Sequence, residues 1–264
     1  MTAAPLNTLL TQQRCSLGVF IPAGLHRSDT QRRQLGRLAE AGADLFEVGL
    51  ATADAVLDGP VIQAAYHRAL SHGNVLDRTL RAIEHAASLR PTVVMTYWDP
   101  VRRHGPERLA RRVTDAGATG IMVVDLPGNE TLRWHDTARD AGLDTPHLIS
   151  RTTPDASLPA AVERASGWLY VPASTTLTGY QGPLDIPGLA DFAQRLRGTS
   201  PLPVVSGVGI STPALAARVA PLVDAVVIGT PIVRALMAGP GLASDVTAAF
   251  AQTLHASSLG QHHG

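Results

Sequence analysis

The sequence lacks the residues and patterns that mark several large classes of protein. Its one cysteine, Cys15, allows no internal disulfide framework and no cysteine cluster for a metal ion. Its 22 acidic residues balance 22 basic residues without a long run of one sign, which argues against a surface for nucleic acid or for an anionic membrane. No apolar run approaches the length of a membrane span. The partner expected from composition is a small molecule.

Two further absences bear on location and on metal binding. Residues 1–14 do not have the charged-then-apolar layout of a signal peptide, and we expect a cytoplasmic protein. The ten histidines show no metal-ligand spacing, so no metal site is predicted. His262 and His263 belong to a glycine-ended tail, near 257–264, that we predict to be disordered.

Short apolar runs alternate with longer amphipathic segments, as in proteins built from strands and helices in turn. The length of 264 residues allows one large α/β barrel or two smaller domains. Eight strand candidates can be counted, the number that closes a parallel barrel, and no linker-like segment separates them. Gly42, Gly117 and Gly142 are predicted left-handed helix caps. The sequence thus predicts an α/β fold, a single (β/α)8 TIM barrel over residues 1–264, with strands at 18–21, 44–49, 92–97, 121–125, 145–149, 168–171, 203–205 and 224–228.

Two carboxyl groups stand where chemistry is expected in such a barrel. The second predicted strand carries Glu47 near its end, where apolar packing would normally continue. Asp58 precedes the turn dipeptide Gly59-Pro60, so strand end and loop can bring both acids to one rim. Because barrels of this kind do their chemistry at the carboxyl ends of the strands, the two acids indicate proton transfer.

For other residues near the predicted strand ends, an ordinary structural role is the alternative to a role in the site. Asp125 is suited to accept a hydrogen bond at a turn or at the start of a helix, and Tyr97 and Tyr170 are suited to pack as aromatics. The long polar stretch 174–182 after the sixth strand is predicted to be a lid, with a merely solvated loop as the alternative.

Glycines follow the last two predicted strands. Gly207-Val208-Gly209 and Gly229-Thr230 each stand just before a helix start, where backbone N–H groups and the helix dipole favour an anion. Barrels often bind phosphate with the loops after strands seven and eight. Gly-Val-Gly falls short of a dinucleotide fingerprint. The pattern therefore predicts a phosphorylated substrate.

In this order and spacing, the motifs resemble those of the α subunit of tryptophan synthase, the indole-3-glycerol-phosphate lyase, from about Gly18 to Arg234. The resemblance is carried by the motifs at 46–50, 57–63, 95–97, 124–127, 170, 177–179, 207–211 and 229–230. It implies a retro-aldol cleavage of indole-3-glycerol phosphate to indole and glyceraldehyde 3-phosphate, with no cofactor.

The resemblance also implies roles for individual residues. Glu47 matches the family's general acid/base, which protonates C3 of the indole and helps to remove the proton of the glycerol hydroxyl. Asp58 matches the acid that pairs with the indole N–H as the indolenine tautomer forms. Tyr170 would line the substrate channel and Thr178 would belong to the closing loop. The phosphate would be held by Gly179, Gly207, Gly209, Gly229 and Thr230, and the indole would be contacted by Phe20, Tyr97, Met122, Ile149 and Val208.

Apart from the two acids Glu47 and Asp58, the chain departs from the family pattern at several positions. Where the family has Pro, an aromatic, Ser, Asp and Pro after Glu-x-Gly, this chain has Ala, Thr, Ala, Asp and Ala at 51–55. Because that loop contacts the β subunit in the family, we expect a looser loop, a weakened β-subunit contact and a stand-alone lyase. The Asp-Pro after the first strand is missing, Trp98-Asp99 replace the usual Asn, and Thr176 replaces a glycine.

Two alternatives stay open. Trp98 and the altered first loop favour a lyase or aldolase for a different phosphorylated substrate, because either could reshape the aromatic end of the site. The other is a non-catalytic subunit that activates a partner enzyme, and retention of both Glu47 and Asp58 argues against it.

Overall fold

The computed structural model of the chain describes residues 6, 10, 14–239 and 241–259. Within them, eight parallel strands form one sheet in the order β4-β3-β2-β1-β8-β7-β6-β5. The edge strand β4 meets the segment just before β5, the other edge strand, through a bridge between Gly120 and Asp144, where the Ile121 N–H donates to the Asp144 carbonyl at 2.9 Å. The barrel is nearly closed, so the predicted (β/α)8 fold is confirmed. The strands are β1 (Ser16–Pro22), β2 (Leu45–Gly49), β3 (Thr92–Thr96), β4 (Gly120–Val123), β5 (His147–Leu148), β6 (Leu169–Val171), β7 (Val204–Ser206) and β8 (Ala225–Ile228).

Helices cover the outside of this barrel and bury one stripe each. In the helix over 75–87, for example, the buried residues recur at helical spacing and include Leu76, Ile83 and Ala86. The helices are α1 (Ser28–Glu40), α2 (Pro60–Ser71), α3 (Val75–Ala87), α4 (Trp98–His104), α5 (Pro106–Asp115), α6 (Thr131–Asp140), α7 (Leu158–Val162), α8 (Ile186–Thr199), α9 (Pro213–Val219), α10 (Thr230–Ala238) and α11 (Leu242–Leu259).

The strands are apolar almost throughout because the helical layer covers the outer face while the barrel packs its own interior. Every residue of β1 to β4 is buried, and the two residues of β5 are half-buried. Gly42, Gly117 and Gly142 have φ of +106°, +94° and +82°, which confirms the predicted left-handed caps. These caps turn the chain from each helix back to the bottom of the next strand, so the strand ends meet at one mouth.

Most predicted strands differ from the structure by one or two residues at an end, and three local differences are larger or bear on the site. The short helix α4 was not predicted, because Pro100 lies inside it. The fifth strand is limited to His147–Leu148 instead of 145–149. The carboxyl-terminal helix reaches Leu259, and residues 260–264 of the predicted disordered tail lie outside the described residues. In the part of the chain that the structure describes, no helix combines the length and the apolar character needed to cross a membrane.

Candidate active site

A cavity opens at the carboxyl ends of the strands and, with its mouth, encloses about 850 Å³. Of the residues implied by the resemblance, all except Ile149 line it. Ile149 is buried but does not line the cavity, and the preceding Leu148, the last residue of β5, lines it instead. The roles assigned to these residues stay predictions.

Glu47 is a buried carboxyl group in the wall of the cavity. It lies on β2 opposite Phe20 of β1 and is 3% exposed. Its Oε1 has no hydrogen-bond partner among the described residues. Burial, and secondarily the charge of Asp58, raise the pKa of Glu47 to about 8. A carboxyl group with this pKa is protonated at neutral pH and can donate a proton, then accept one back.

Asp58 lies nearby in a different environment. Its Oδ2 accepts from the Tyr97 hydroxyl at 2.9 Å and its Oδ1 accepts from the Thr178 hydroxyl at 3.2 Å. Burial raises the pKa of Asp58, and these two hydrogen bonds oppose the rise because they stabilise the ionised form. Gln63 fixes the loop from behind, since its Nε2 donates to the Asp58 carbonyl at 2.7 Å. Two acids in unlike surroundings can divide the roles of proton donor and hydrogen-bond acceptor.

The loop after β6 lies across this pair of acids. Besides contacting Asp58, the Thr178 hydroxyl accepts from the Gly59 N–H at 2.7 Å. A Cβ at position 59 would lie 1.9 Å from the Thr178 carbonyl oxygen, so only glycine permits the contact. The stretch 174–182 therefore touches the candidate catalytic loop directly, as a lid would, and does not stand free as a solvated loop.

Tyr170 forms the wall between the acids and the glycine-rich end. Its ring is buried, and both burial and the charge of Glu47 raise the pKa of its hydroxyl. A Cβ at position 207 would lie 2.0 Å from that hydroxyl oxygen, so Gly207 lets the β7 loop approach the tyrosine closely. The buried phenol stays neutral and shapes the cavity where the apolar part of a substrate would meet its polar part.

The glycine-rich end of the cavity is suited to an anion. Gly229 precedes α10, and Thr230 is the first residue of that helix, so its free N–H groups and dipole face the cavity. The other predicted helix start, α9, is capped locally, because the Thr212 hydroxyl accepts from the Leu215 N–H at 3.2 Å. Arg234 also lines the cavity and is the one cationic residue in that lining.

Sequence reasoning missed several lining residues. Arg234 follows Thr230 by four positions on α10, so helical spacing could have found it. The other missed residues are Leu57, Ile62, Met95, Val124, Leu148, Tyr180, Gln181, Ile210, Ser211, Val227 and Pro231. All but Ile62 lie within one or two positions of a residue that was predicted, and Ile62 lies on α2.

Two residues singled out from the sequence lie outside the cavity. The Asp125 carboxylate accepts a hydrogen bond from the N–H of Trp98, the first residue of α4, at 2.6 Å. Asp125 therefore has the structural role named as the alternative, that of an acceptor at the start of a helix. The Trp98 ring packs edge-to-face on Trp134, with ring centroids 6.0 Å apart and an interplanar angle of 75°. Trp98 therefore does not reshape the aromatic end of the site.

The altered loop at 51–55 is packed inward for the most part. Ala51, Thr52 and Ala55 are buried, and the Ala55 carbonyl accepts from the Asp58 N–H at 3.1 Å. The apolar side chains exposed on this side of the barrel come after it, where Val56 is 65% exposed. The expected looseness of the loop stays a prediction.

The side chains described around the cavity do not form a set of metal ligands. Among the residues that the structure describes, no three of His, Cys, Asp or Glu come together as ligands for a metal ion. What the cavity does offer is an acid–base pair at one end and backbone N–H groups with one arginine at the other.

The fold and the cavity together define a class, the (β/α)8-barrel enzymes that hold an acid–base pair in an enclosed mouth. A family model described as tryptophan synthase alpha chain matches residues 6–258. The tryptophan synthase alpha chains of Streptomyces avermitilis and Streptomyces coelicolor are each 34% identical to the chain, over 226 and 232 residues. These alignments cover 85% and 87% of this chain, and 81% and 85% of the two relatives.

A solved structure agrees with the sequence relatives. A chain of Mycobacterium tuberculosis tryptophan synthase superposes with a TM-score of 0.88 at 29% identity, covering 96% of this chain and 98% of that one. The protein belongs to the tryptophan synthase alpha chain family, which confirms the resemblance seen in the sequence.

Proposed function

We propose that the protein cleaves indole-3-glycerol phosphate to indole and glyceraldehyde 3-phosphate, as a carbon–carbon lyase that needs no cofactor. Family membership supports this reaction. The single observation that carries it is the buried carboxyl of Glu47, whose pKa of about 8 keeps it protonated at neutral pH beside a second acid. A retro-aldol reaction on an indole needs such an acid at the ring carbon and a base at the hydroxyl.

The proposed proton transfers balance over one turnover. Protonated Glu47 gives its proton to C3 of the indole while the Asp58 carboxylate accepts the hydrogen bond of the ring N–H and so stabilises the positive charge of the C3-protonated ring. Glu47, now ionised, takes the proton of the glycerol hydroxyl. The bond between C3 and the glycerol carbon then breaks, its electron pair restores the indole, and the hydroxyl carbon becomes the aldehyde. Glu47 ends the cycle protonated.

The substrate's phosphate is proposed to lie at the other end of the cavity. Gly229 and Thr230 present the N-terminus of α10 there, and Arg234 supplies a positive charge. The apolar side chains between the two ends, among them Phe20 and Met122, suit a flat aromatic ring. This division of the cavity matches the two unlike halves of indole-3-glycerol phosphate.

An aldolase acting on another phosphorylated substrate is less well supported. The sequence contains no lysine, because all 22 of its basic residues are arginines, so no lysine can form a Schiff base with a carbonyl substrate. Trp98, which motivated this alternative, packs on Trp134 away from the cavity. What remains in its favour is the altered loop after the first strand.

We further propose that the lyase works without a tightly bound β subunit. The loop at 51–55 lacks the rigid prolines and the aromatic anchor of the family pattern. The contacts of Thr178 with Asp58 and Gly59 are already made in the single chain. The exposed apolar side chains Val56 and Leu177 leave some surface for a partner, and the contact is therefore proposed to be weakened and not abolished.

The experiment is steady-state release of indole from indole-3-glycerol phosphate by the isolated chain, before and after a tryptophan synthase β subunit is added. Glu47→Gln is the control and should release no indole. Turnover by the chain alone, with little change on adding the partner, supports a stand-alone lyase. Activity that depends on the β subunit refutes the stand-alone role. No indole in either condition refutes the substrate and leaves the partner-activating subunit as the next hypothesis.

A further inference from the structure

One arginine outside the cavity ties together the two ends of the loop over residues 174–184. Arg151 follows β5, and its side chain is only 10% exposed. Its Nη1 donates to the Ala173 carbonyl at 3.0 Å, just after β6. Its Nη2 donates to Asp185 twice, to the carboxylate Oδ2 at 2.8 Å and to the backbone carbonyl at 3.3 Å. Because Ala173 and Asp185 bound the loop, a single guanidinium closes its base.

Asp185 is held from the other side by the helix that it begins. Its Oδ1 caps α8 by accepting from the Gly188 N–H at 3.0 Å. This hydrogen bond, and then Arg151, lower the pKa of Asp185. A Cβ at position 188 would lie 2.1 Å from Asp185 Oδ2 and 2.7 Å from Arg151 Nη2, so the cluster requires a glycine there. Arg151, Asp185 and Gly188 are called the clasp below.

The base of the loop also rests on the glycine-rich end of the cavity. Gly209 has φ of +94°, and a Cβ on it would lie 2.7 Å from Ser174 Cβ and 3.0 Å from Leu184 Cδ2. The Ser174 N–H donates to the Val208 carbonyl at 2.8 Å. The first and last residues of the loop are thus packed on the β7 loop, and the tip in between carries Thr178 to Asp58.

We propose that Arg151 is a positioning residue for the lyase reaction: by clasping Ala173 to Asp185 it holds the loop over 174–184 closed, so that Thr178 stays on Asp58. A short closed base limits the conformations of the tip, and less conformational entropy is lost when Thr178 and Gly59 meet. The kinetic part of this inference rests on the proposed function. The conformational part does not, because loop opening can be measured without substrate.

The test compares Arg151→Gln with Arg197→Gln as a matched control. Arg197 has the same kind of partners, a carbonyl of Leu222 at 2.6 Å and the carboxylate of Asp224 at 3.0 Å, but it lies at the opposite end of the barrel. Loop opening is read from the rate of chymotryptic cleavage after Leu177 or Tyr180, located by mass spectrometry. Leu177 is 49% exposed, so the site is reachable once the tip leaves the barrel.

Loss of hydrogen bonds to a charged group should raise the open population, and hence cleavage in Arg151→Gln, about 10-fold. The KM for indole-3-glycerol phosphate should rise by about the same factor while kcat changes less, because the same opening equilibrium opposes substrate enclosure. Arg197→Gln should match wild type in both. Arg151→Lys should recover part of each effect, since one ammonium can reach the carbonyl or the carboxylate but lacks the fork that serves both.

Equal cleavage in Arg151→Gln, Arg197→Gln and wild type would overturn the clasp whatever the kinetics show. Faster cleavage confined to Arg151→Gln, with wild type inactive on indole-3-glycerol phosphate, would leave the clasp standing and remove the proposed reaction. If Arg151→Gln unfolds too easily to be assayed, Asp185→Asn replaces it. That variant keeps an acceptor for the Gly188 N–H, loses the charge that Arg151 meets, and should show the same selective increase in cleavage.

Discussion

Glu47 should make the fold less stable as the pH rises, and Glu47→Gln should remove that dependence. Burial raises the pKa of Glu47 from 4.5 to about 8, so the folded state holds a proton that the unfolded chain has released. The free energy of unfolding then falls by about 1.4 kcal/mol per pH unit between pH 4.5 and 8. Below pH 4.5 this loss is absent, at pH 7 it is about 3 kcal/mol, and above pH 8 it levels off near about 5 kcal/mol.

The assay is urea unfolding of wild type and Glu47→Gln, followed by circular dichroism, at pH 5.5 and pH 7.5. Glutamine has the shape of the protonated acid and leaves the same cavity-facing oxygen without a partner, so packing changes little. The free energy of unfolding of the variant, relative to wild type, should be about 3 kcal/mol higher at pH 7.5 than at pH 5.5. The slope of that free energy against urea concentration should be the same for both proteins. For a chain of this size that corresponds to about 6–12 °C in Tm.

A stability difference that is the same at both pH values would refute the reasoning, because it would mean that Glu47 is ionised in the folded protein at pH 7.5. The exposed Glu163→Gln serves as control and should follow wild type at both values. The same protonation should appear in catalysis. In wild type, kcat/KM for indole-3-glycerol phosphate should fall above pH 8, as the acid that protonates the ring is lost.

Three further changes probe other parts of the molecule. A Cβ on Gly229 would meet Phe20 no closer than 3.7 Å, so Gly229→Ala should keep its Tm while its KM for the phosphorylated substrate rises about 10-fold; an unchanged KM would take Gly229 out of the phosphate site. Arg234→Ala should raise the same KM and weaken competitive inhibition by inorganic phosphate, and inhibition as strong as in wild type would contradict its role. Burial and the neighbouring His147 lower the pKa of His135 to about 4, so stability should fall as the pH drops from 6.5 towards 4. His135→Asn should reduce that loss by about 2 kcal/mol, and acid unfolding curves that coincide would refute it.

The barrel could be predicted because its local signals agree with one another. The helix-ending glycines at 42, 117 and 142 each precede an apolar run, and such joints repeat only when strands are parallel. Glu47 could be found because a carboxyl in an otherwise apolar strand is costly unless it has a use. These features depend on residues close together in the chain, so the sequence displays them.

What could not be predicted depends on contacts between distant residues. Arg151 looks like any surface arginine until the fold brings Ala173 and Asp185 to it, 22 and 34 positions away. The end of β5 was placed one residue late because only pairing with β6 decides where so short a strand stops. Trp98, which replaces part of the family motif after Tyr97, is predicted to be able to reshape the aromatic end of the site, whereas in α4 it packs on Trp134.

The clasp and the altered loop at 51–55 both bear on how the loop over 174–184 is kept closed. The resemblance to the family implies that the loop after Glu47 contacts the β subunit, and this chain has small residues there. In the proposed arrangement Arg151 holds the loop over 174–184 from its base within the same chain, and closure then does not require a partner. Weakening the clasp should then restore a dependence on that partner. A β subunit should stimulate indole release more strongly in Arg151→Gln than in wild type, by up to the roughly 10-fold that the variant loses. Equal stimulation of the two would mean that clasp and partner act on different equilibria, and the stand-alone activity would need another cause.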